Sequence, residues 1–106
     1  MIHSLTSQKQ FETLLSSQSS FIVWFGAAWC VPCRNLDKAA IDQAGIDATI
    51  PIWYCDQTVN AETPDHCNIK AFPTLVFFTK GSSVSSRKSA DTFKLCQFIR
   101  NASGSN

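Results

Sequence analysis

The feature that most restricts the fold is a junction. The continuous apolar run Phe21-Ile22-Val23-Trp24-Phe25 gives way, a few residues on, to Trp29-Cys30-Val31-Pro32-Cys33 and a helical pattern. A run of that kind suits a central strand covered on both faces, so the chain needs a layer on each side of a sheet. The strand delivers the Cys-x-x-Cys to the first turn of a helix. Unpaired N–H groups and the helix dipole favour an anion there, so Cys30 is expected to hold a thiolate and to act as nucleophile. Cys33 lies three residues later on the same face of the turn, within reach of a mixed disulfide at Cys30, and is the expected resolving thiol.

The remaining pattern supplies the layers. Residues 7–16 place Phe11, Leu14 and Leu15 at i, i+3, i+4 behind Ser7-Gln8-Lys9-Gln10, a capping-box start, and predict a first helix. A second helix is predicted over 32–44: Leu36, Ala40 and Ala44 share a face, and Gly45 stands where a C-terminal cap belongs. Residues 50–55 are rich in β-formers, with Pro51 near the start, and read as a second strand. The polar stretch 56–68 contains Pro64 and predicts a connection with at most a short helix. Phe72-Pro73-Thr74 leads into a third strand at 75–78, and the serine-rich 82–88 reads as an edge strand joined to it across Gly81. A helix over 91–100, with Leu95, Phe98, Ile99 and Ala102 on one side, precedes a polar tail at 103–106. Helices alternating with the early strands imply parallel pairing, and the short link at Gly81 implies an antiparallel edge. The expected fold is α/β, one domain over 1–106, with a central mixed sheet flanked by helices on both faces.

Composition narrows the function. A chain of 106 residues, 44% hydrophobic, can bury one core. Its net charge of +1 comes from scattered lysines and arginines, which argues against nucleic acid. Five cysteines are an odd number, unlike a fully paired secreted framework, and fit a reducing compartment better. The N-terminus lacks the charged and apolar regions of a signal peptide, and no apolar run approaches the ~18 residues of a membrane span. A cytoplasmic monomer without a membrane anchor is the expectation. Cys55 and Cys96 sit in apolar patterns and read as core residues, whereas Cys67, in the polar connection, is a candidate for regulatory oxidation. A zinc site at Cys30 and Cys33 would have to recruit Cys55, His66 or Cys67, and no second Cys-x-x-Cys exists, so no metal is expected. Trp24 and Trp53 read as core side chains, Asp56 as the residue closing the second strand, and His3 and His66 as surface residues.

Taken together, the strand with Trp29-Cys30-Val31-Pro32-Cys33, the Phe72-Pro73-Thr74 some forty residues on, and the Phe77-Phe78-Thr79-Lys80-Gly81 hairpin resemble the thioredoxin family over almost the whole chain. The resemblance implies a protein-disulfide reductase with a redox-active Cys30–Cys33 disulfide and no bound cofactor. Its implied partners are disulfide-containing proteins and a thioredoxin reductase. It also implies a cis peptide before Pro73, docking of substrate as an added strand beside Phe72, Pro73 and Thr74, and a Trp29 that shields the disulfide. Pro32 fixes the start of the helix. Val31 and Pro32 stand between the cysteines, with no histidine to stabilise the thiolate and thereby favour an oxidant, so the resemblance points to a reductant. A disulfide oxidase or isomerase, or a binding module in which exchange is incidental, are the alternative readings.

Four departures from the family pattern carry further expectations. Trp24 stands where the family buries an aspartate that helps move the proton of the resolving thiol, and Ile52 where its lysine partner lies. Losing both together is coherent, because a buried lysine without its carboxylate is costly. Resolution by Cys33 is then expected to be slower or to rely on water. Gly26 replaces a tryptophan, which predicts a gap near the site. Lys38 replaces a helix-kinking proline, which predicts a straighter second helix. Ser89, near the place of a late glycine, and bulky Phe72 predict a narrower partner range.

Overall fold

A computed structural model describes residues 1–102; the tail at 103–106 lies outside the described residues. The apolar run forms β2 (Phe21–Gly26), buried at every position. On one side it pairs in parallel with β3 (Ile52–Asp56), on the other antiparallel with β4 (Thr74–Thr79). A short β1 (Ile2–Ser4) adds in parallel to the far edge of β3, and β5 (Ser82–Lys88) pairs antiparallel with β4. The sheet order is β1-β3-β2-β4-β5, mixed as expected. Strand β1 was not anticipated; three residues are too few to show alternation, and only its register against Ile52, Trp53 and Tyr54 defines it.

Because side chains alternate along a strand, β2 feeds two cores. Ile22 and Trp24 join Ile52, Leu75 and Phe77 on one face, and Phe21, Val23 and Phe25 join Cys55, Val76 and Phe78 on the other. The first face is covered by α3 (Lys38–Ala48) and α5 (Thr92–Ala102), through Ile41, Leu95 and Ile99, and the second by α1 (Gln8–Ser16), through Phe11. At the start of α1, Ser7 Oγ accepts from Gln10 N–H (3.1 Å), while the Gln10 side chain accepts from Thr6 N–H (2.9 Å), one residue before the usual capping-box donor. The β4–β5 turn has positive φ at Lys80 (53°) and Gly81 (78°), the backbone that a two-residue hairpin turn requires.

The expected second helix over 32–44 is two helices. A four-residue α2 (Val31–Arg34) stops, and α3 begins only at Lys38. Asp37 causes the break: in an extended conformation it accepts a bond from Ala40 N–H at 3.1 Å as a new N-cap, and its own N–H donates to Thr92 Oγ1 at 3.1 Å. Lys38 therefore does not straighten the helix, since the interruption precedes it. Gly45 is not a cap either. It lies inside α3, which ends at Thr49 in the left-handed conformation (φ 57°), and a Cβ at Gly45 would fall 2.8 Å from Ile52 Cδ1. Close approach of α3 to β3 is what this glycine permits.

The polar connection holds α4 (Glu62–His66) and a buried polar network. Thr63 Oγ1 accepts from Asn60 Nδ2 and donates to Gln8 Oε1, both at 2.8 Å, while Asn60 Oδ1 accepts from Thr63 N–H at 3.2 Å. Thr63→Val keeps the shape but strands the buried Gln8 and Asn60 groups. It is expected to destabilise the fold by about 1–3 kcal/mol, read as a lowered urea midpoint at unchanged m-value.

Candidate active site

Strand β2 ends beneath the cysteine pair. Cys30, held by its N–H to Ala27 C=O (3.0 Å), is the extended N-cap residue of α2 (φ −87°, ψ 105°), and its sulfur accepts from Cys33 N–H at 3.3 Å. Pro32 opens the helix without an amide that would have gone unpaired. The two sulfurs form a disulfide, with Cα atoms 5.3 Å apart. Because α2 has only four residues, the field at Cys30 is local: the Cys33 amide stabilises a charged sulfur, rather than the dipole of a long helix.

Both cysteines are buried, at 5% and 3% exposure, in a small cluster with Ala27 and Phe72. The Cys30 sulfur lies 3.7 Å from the Phe72 carbonyl oxygen, and Phe72–Pro73 is cis, as expected. Thr74 is buried and spends its hydroxyl on Ala71 C=O at 2.7 Å, fixing the turn into β4. Trp29 and Val31 are the exposed apolar residues beside the pair. The Trp29 ring meets Phe72 edge-on with centroids 5.7 Å apart, and its Nε1–H donates to Gln57 Oε1 at 3.2 Å. Gln57 went unnoticed in the sequence. The signal for it is the parallel register Gly26↔Asp56, which carries the end of β3 beside the Trp29 segment.

Asp56 closes β3, as expected, and also holds the approach to the cysteines. One carboxylate oxygen accepts from Ala28 N–H (3.1 Å), Thr58 N–H (3.0 Å) and Thr58 Oγ1–H (2.7 Å). Burial raises the pKa of this carboxyl, but the hydrogen bonds from Thr58 and Ala28 outweigh it and the net shift is downward.

Below the site Trp24 is fully buried, edge-on to Tyr54 at 4.9 Å. Across β3 the residue level with Trp24 is Tyr54; Ile52 is level with Ile22, one pair lower on the same face. The gap expected at Gly26 is absent, because Tyr54 fills it: a Cβ on Gly26 would fall 2.8 Å from the Tyr54 ring and hydroxyl. Burial, then the nearby Asp56 and Cys55, push the Tyr54 phenol above its usual pKa. Among the described residues the buried polar ones are Gln8, Asn60, Thr63 and Thr74, none of them ionisable.

The other cysteines are free and apart from the pair. Cys55 is buried, donates to Asn60 C=O at 3.6 Å, and has its thiol pushed up to about 12 by burial first. Cys67 caps the end of α4, half-buried, and burial pushes it up to about 11; burial raises Cys96 as well. Such thiols are poor nucleophiles near neutral pH. His66 is exposed and meets Phe11 edge-on, His3 packs on the half-buried Trp53 at 4.7 Å, and no group of three His, Cys, Asp or Glu among the described residues is arranged to hold a metal. A cavity of about 600 Å³ lies away from the pair, between α1 and β5, with Phe11, Cys67 and Phe78 in its walls.

A mixed five-stranded sheet, helices on both faces, and a cysteine pair where β2 meets a short helix beside a cis proline define a thiol-disulfide oxidoreductase of thioredoxin fold. The chain belongs to the thioredoxin family, whose sequence model matches residues 2–101. It is 28% identical over 99 residues to Thioredoxin 1 of Plasmodium falciparum, covering 93% of this chain and 95% of that one. It is 33% identical over 101 residues to Thioredoxin-2 of Pyricularia oryzae, covering 92% of this chain but 57% of that protein. The solution structure of oxidised Plasmodium falciparum thioredoxin superposes with a TM-score of 0.86 at 27% identity, covering 97% and 99% of the two chains.

Proposed function

We propose that this protein reduces disulfides in other proteins. The observation that carries the reading is the Cys33 amide donating to the Cys30 sulfur, which favours a thiolate at Cys30 and not at Cys33. The Cys30 thiolate attacks one sulfur of a substrate disulfide; a Cys30–substrate bond forms and the other substrate sulfur leaves as a thiolate. Cys33 loses its proton and attacks the Cys30 sulfur, expelling the second substrate thiolate and closing the Cys30–Cys33 disulfide. Two electrons pass to the substrate, and the thiolates take up protons from water. Trp29, Val31 and Phe72 present the apolar contact surface, and the backbone of Phe72 takes the substrate segment as an added strand. With Trp24 and Ile52 under the site, no carboxylate receives the Cys33 proton, which passes to water. A thioredoxin reductase of the same reducing compartment, the cytoplasm, returns the pair to the dithiol.

The direction rests on Val31-Pro32 between the cysteines. Equilibration with glutathione is expected to give a potential near that of a reductant, about −270 mV; a value at or above about −180 mV would mean an oxidase or isomerase instead.

A further inference from the structure

The rim of the docking strand carries exposed lysines that form no ion pair among the described residues. Thr74, one residue past Pro73, pairs across the sheet with Lys88, the last residue of β5. Lys70 lies two residues before Phe72, and both lysines are exposed. Among the described residues the ion pairs are Met1–Asp42 and Arg100–Asp47, so neither Lys70 nor Lys88 has a carboxylate partner, nor does Arg34 beside Cys33. Three of the nearby acids are engaged with backbone amides rather than paired with these cations. Asp91 accepts from Phe93 N–H at 2.9 Å, Asp37 caps α3, and Asp56 holds Ala28 and Thr58.

Lys70 and Thr74 are each two residues from Phe72, at most about 7 Å away even for extended chain and closer where 71–73 bends through the cis peptide, and Lys88 is one strand spacing, about 5 Å, beyond Thr74. A chain paired with the Phe72 backbone thus places the residues flanking its cysteine within about a Debye length of both ammonium groups at physiological salt. Charge of this kind at the edge of an interface acts mainly on encounter and partner choice.

We propose that the docking groove selects disulfides flanked by acidic residues, with Lys88 the principal selecting residue and Lys70 its complement. This rests on the disulfide-reductase reading above, and supplies a partner chemistry for it: an extended segment bearing Asp or Glu within about two residues of the attacked cysteine.

The test uses the full, reduced chain and two synthetic peptide disulfides that differ only in having Glu or Lys on both sides of the cysteine. Second-order rates are followed by Trp fluorescence at roughly 0.02 M and roughly 0.5 M salt, and each is normalised to the same protein's rate with neutral 2,2′-dithiodipyridine. The Glu peptide is expected to react about three- to tenfold faster at low salt, with the ratio falling towards one at high salt. Lys88→Glu is expected to abolish or invert the preference, and Lys88→Ser, which leaves an uncharged edge residue, to reduce it. Equal rates for the two peptides, or a preference unchanged in both variants, would overturn the selectivity while leaving thiol exchange intact. No reaction of the wild-type protein with dithiodipyridine or either peptide would instead remove the reductase reading on which it depends.

Discussion

Cys30→Ser is expected to lower the protein-catalysed rate of insulin reduction with dithiothreitol by at least about a thousandfold, leaving only the direct reaction of dithiothreitol with insulin. A serine hydroxyl is not ionised near neutral pH, and the single amide that faces this position, from Cys33, cannot make it so. The remaining cysteines offer no substitute. Cys55 and Cys67 have thiols raised to about 12 and about 11, and Cys96 is buried on the inner face of α5. The fold itself should tolerate the change, since the side chain is close in size and the N-cap role suits serine. Far-UV circular dichroism and the urea midpoint of the reduced proteins are the controls, and substantial residual turnover in a folded variant would place the nucleophile elsewhere.

The second large effect is on stability. Trp24 is 1% exposed at the centre of the sheet, packed against Tyr54 and the Ile22, Ile52 and Leu75 side of the core. Trp24→Ala should cost about 3–5 kcal/mol through lost contacts and the cavity left behind. Trp24→Phe should cost far less than its loss of volume suggests, because the buried indole N–H has no acceptor among the described residues and its removal relieves a desolvation penalty of about 1–3 kcal/mol. Urea unfolding of the reduced proteins measures both. A Trp24→Phe loss as large as that of Trp24→Ala would show that the indole N–H is satisfied and that this packing account is incomplete.

These two residues show what could be read from the chain. The junction of apolar run, Cys-x-x-Cys and helix was visible because each piece is local: five consecutive apolar residues, two thiols three apart, and a proline at the helix start. The distant Phe72-Pro73 was recognisable only through resemblance, because nothing near it in sequence says that it lies against Cys30. What escaped depends on contacts between distant segments. The break at Asn35–Asp37 is set by the Asp37 cap and the Thr92 hydroxyl, 55 residues away, so helical periodicity ran straight through it. The filling of the Gly26 position follows from the β2–β3 register, which sets Tyr54 beside it, and the Gln57 bond to Trp29 follows from the same register. Gly45 resembled a stop signal because a glycine in a helix is usually tolerated for its backbone; here it serves the approach of Ile52.

The apolar Trp24 and Ile52 on the face beneath the site leave the division of labour to the two cysteines' own surroundings. One sulfur is supplied with an amide donor and apolar contact surface, and the other is buried. The most direct measurement is therefore mass spectrometry of the protein mixed with a protein disulfide in the absence of small thiols, carried out on Cys33→Ser and Cys30→Ser in parallel. The account predicts that Cys33→Ser accumulates a covalent adduct bonded through Cys30, reversible by dithiothreitol, and that Cys30→Ser accumulates none. An adduct through Cys33 in the Cys30→Ser protein, formed as fast as the first, or no adduct on either, would contradict it.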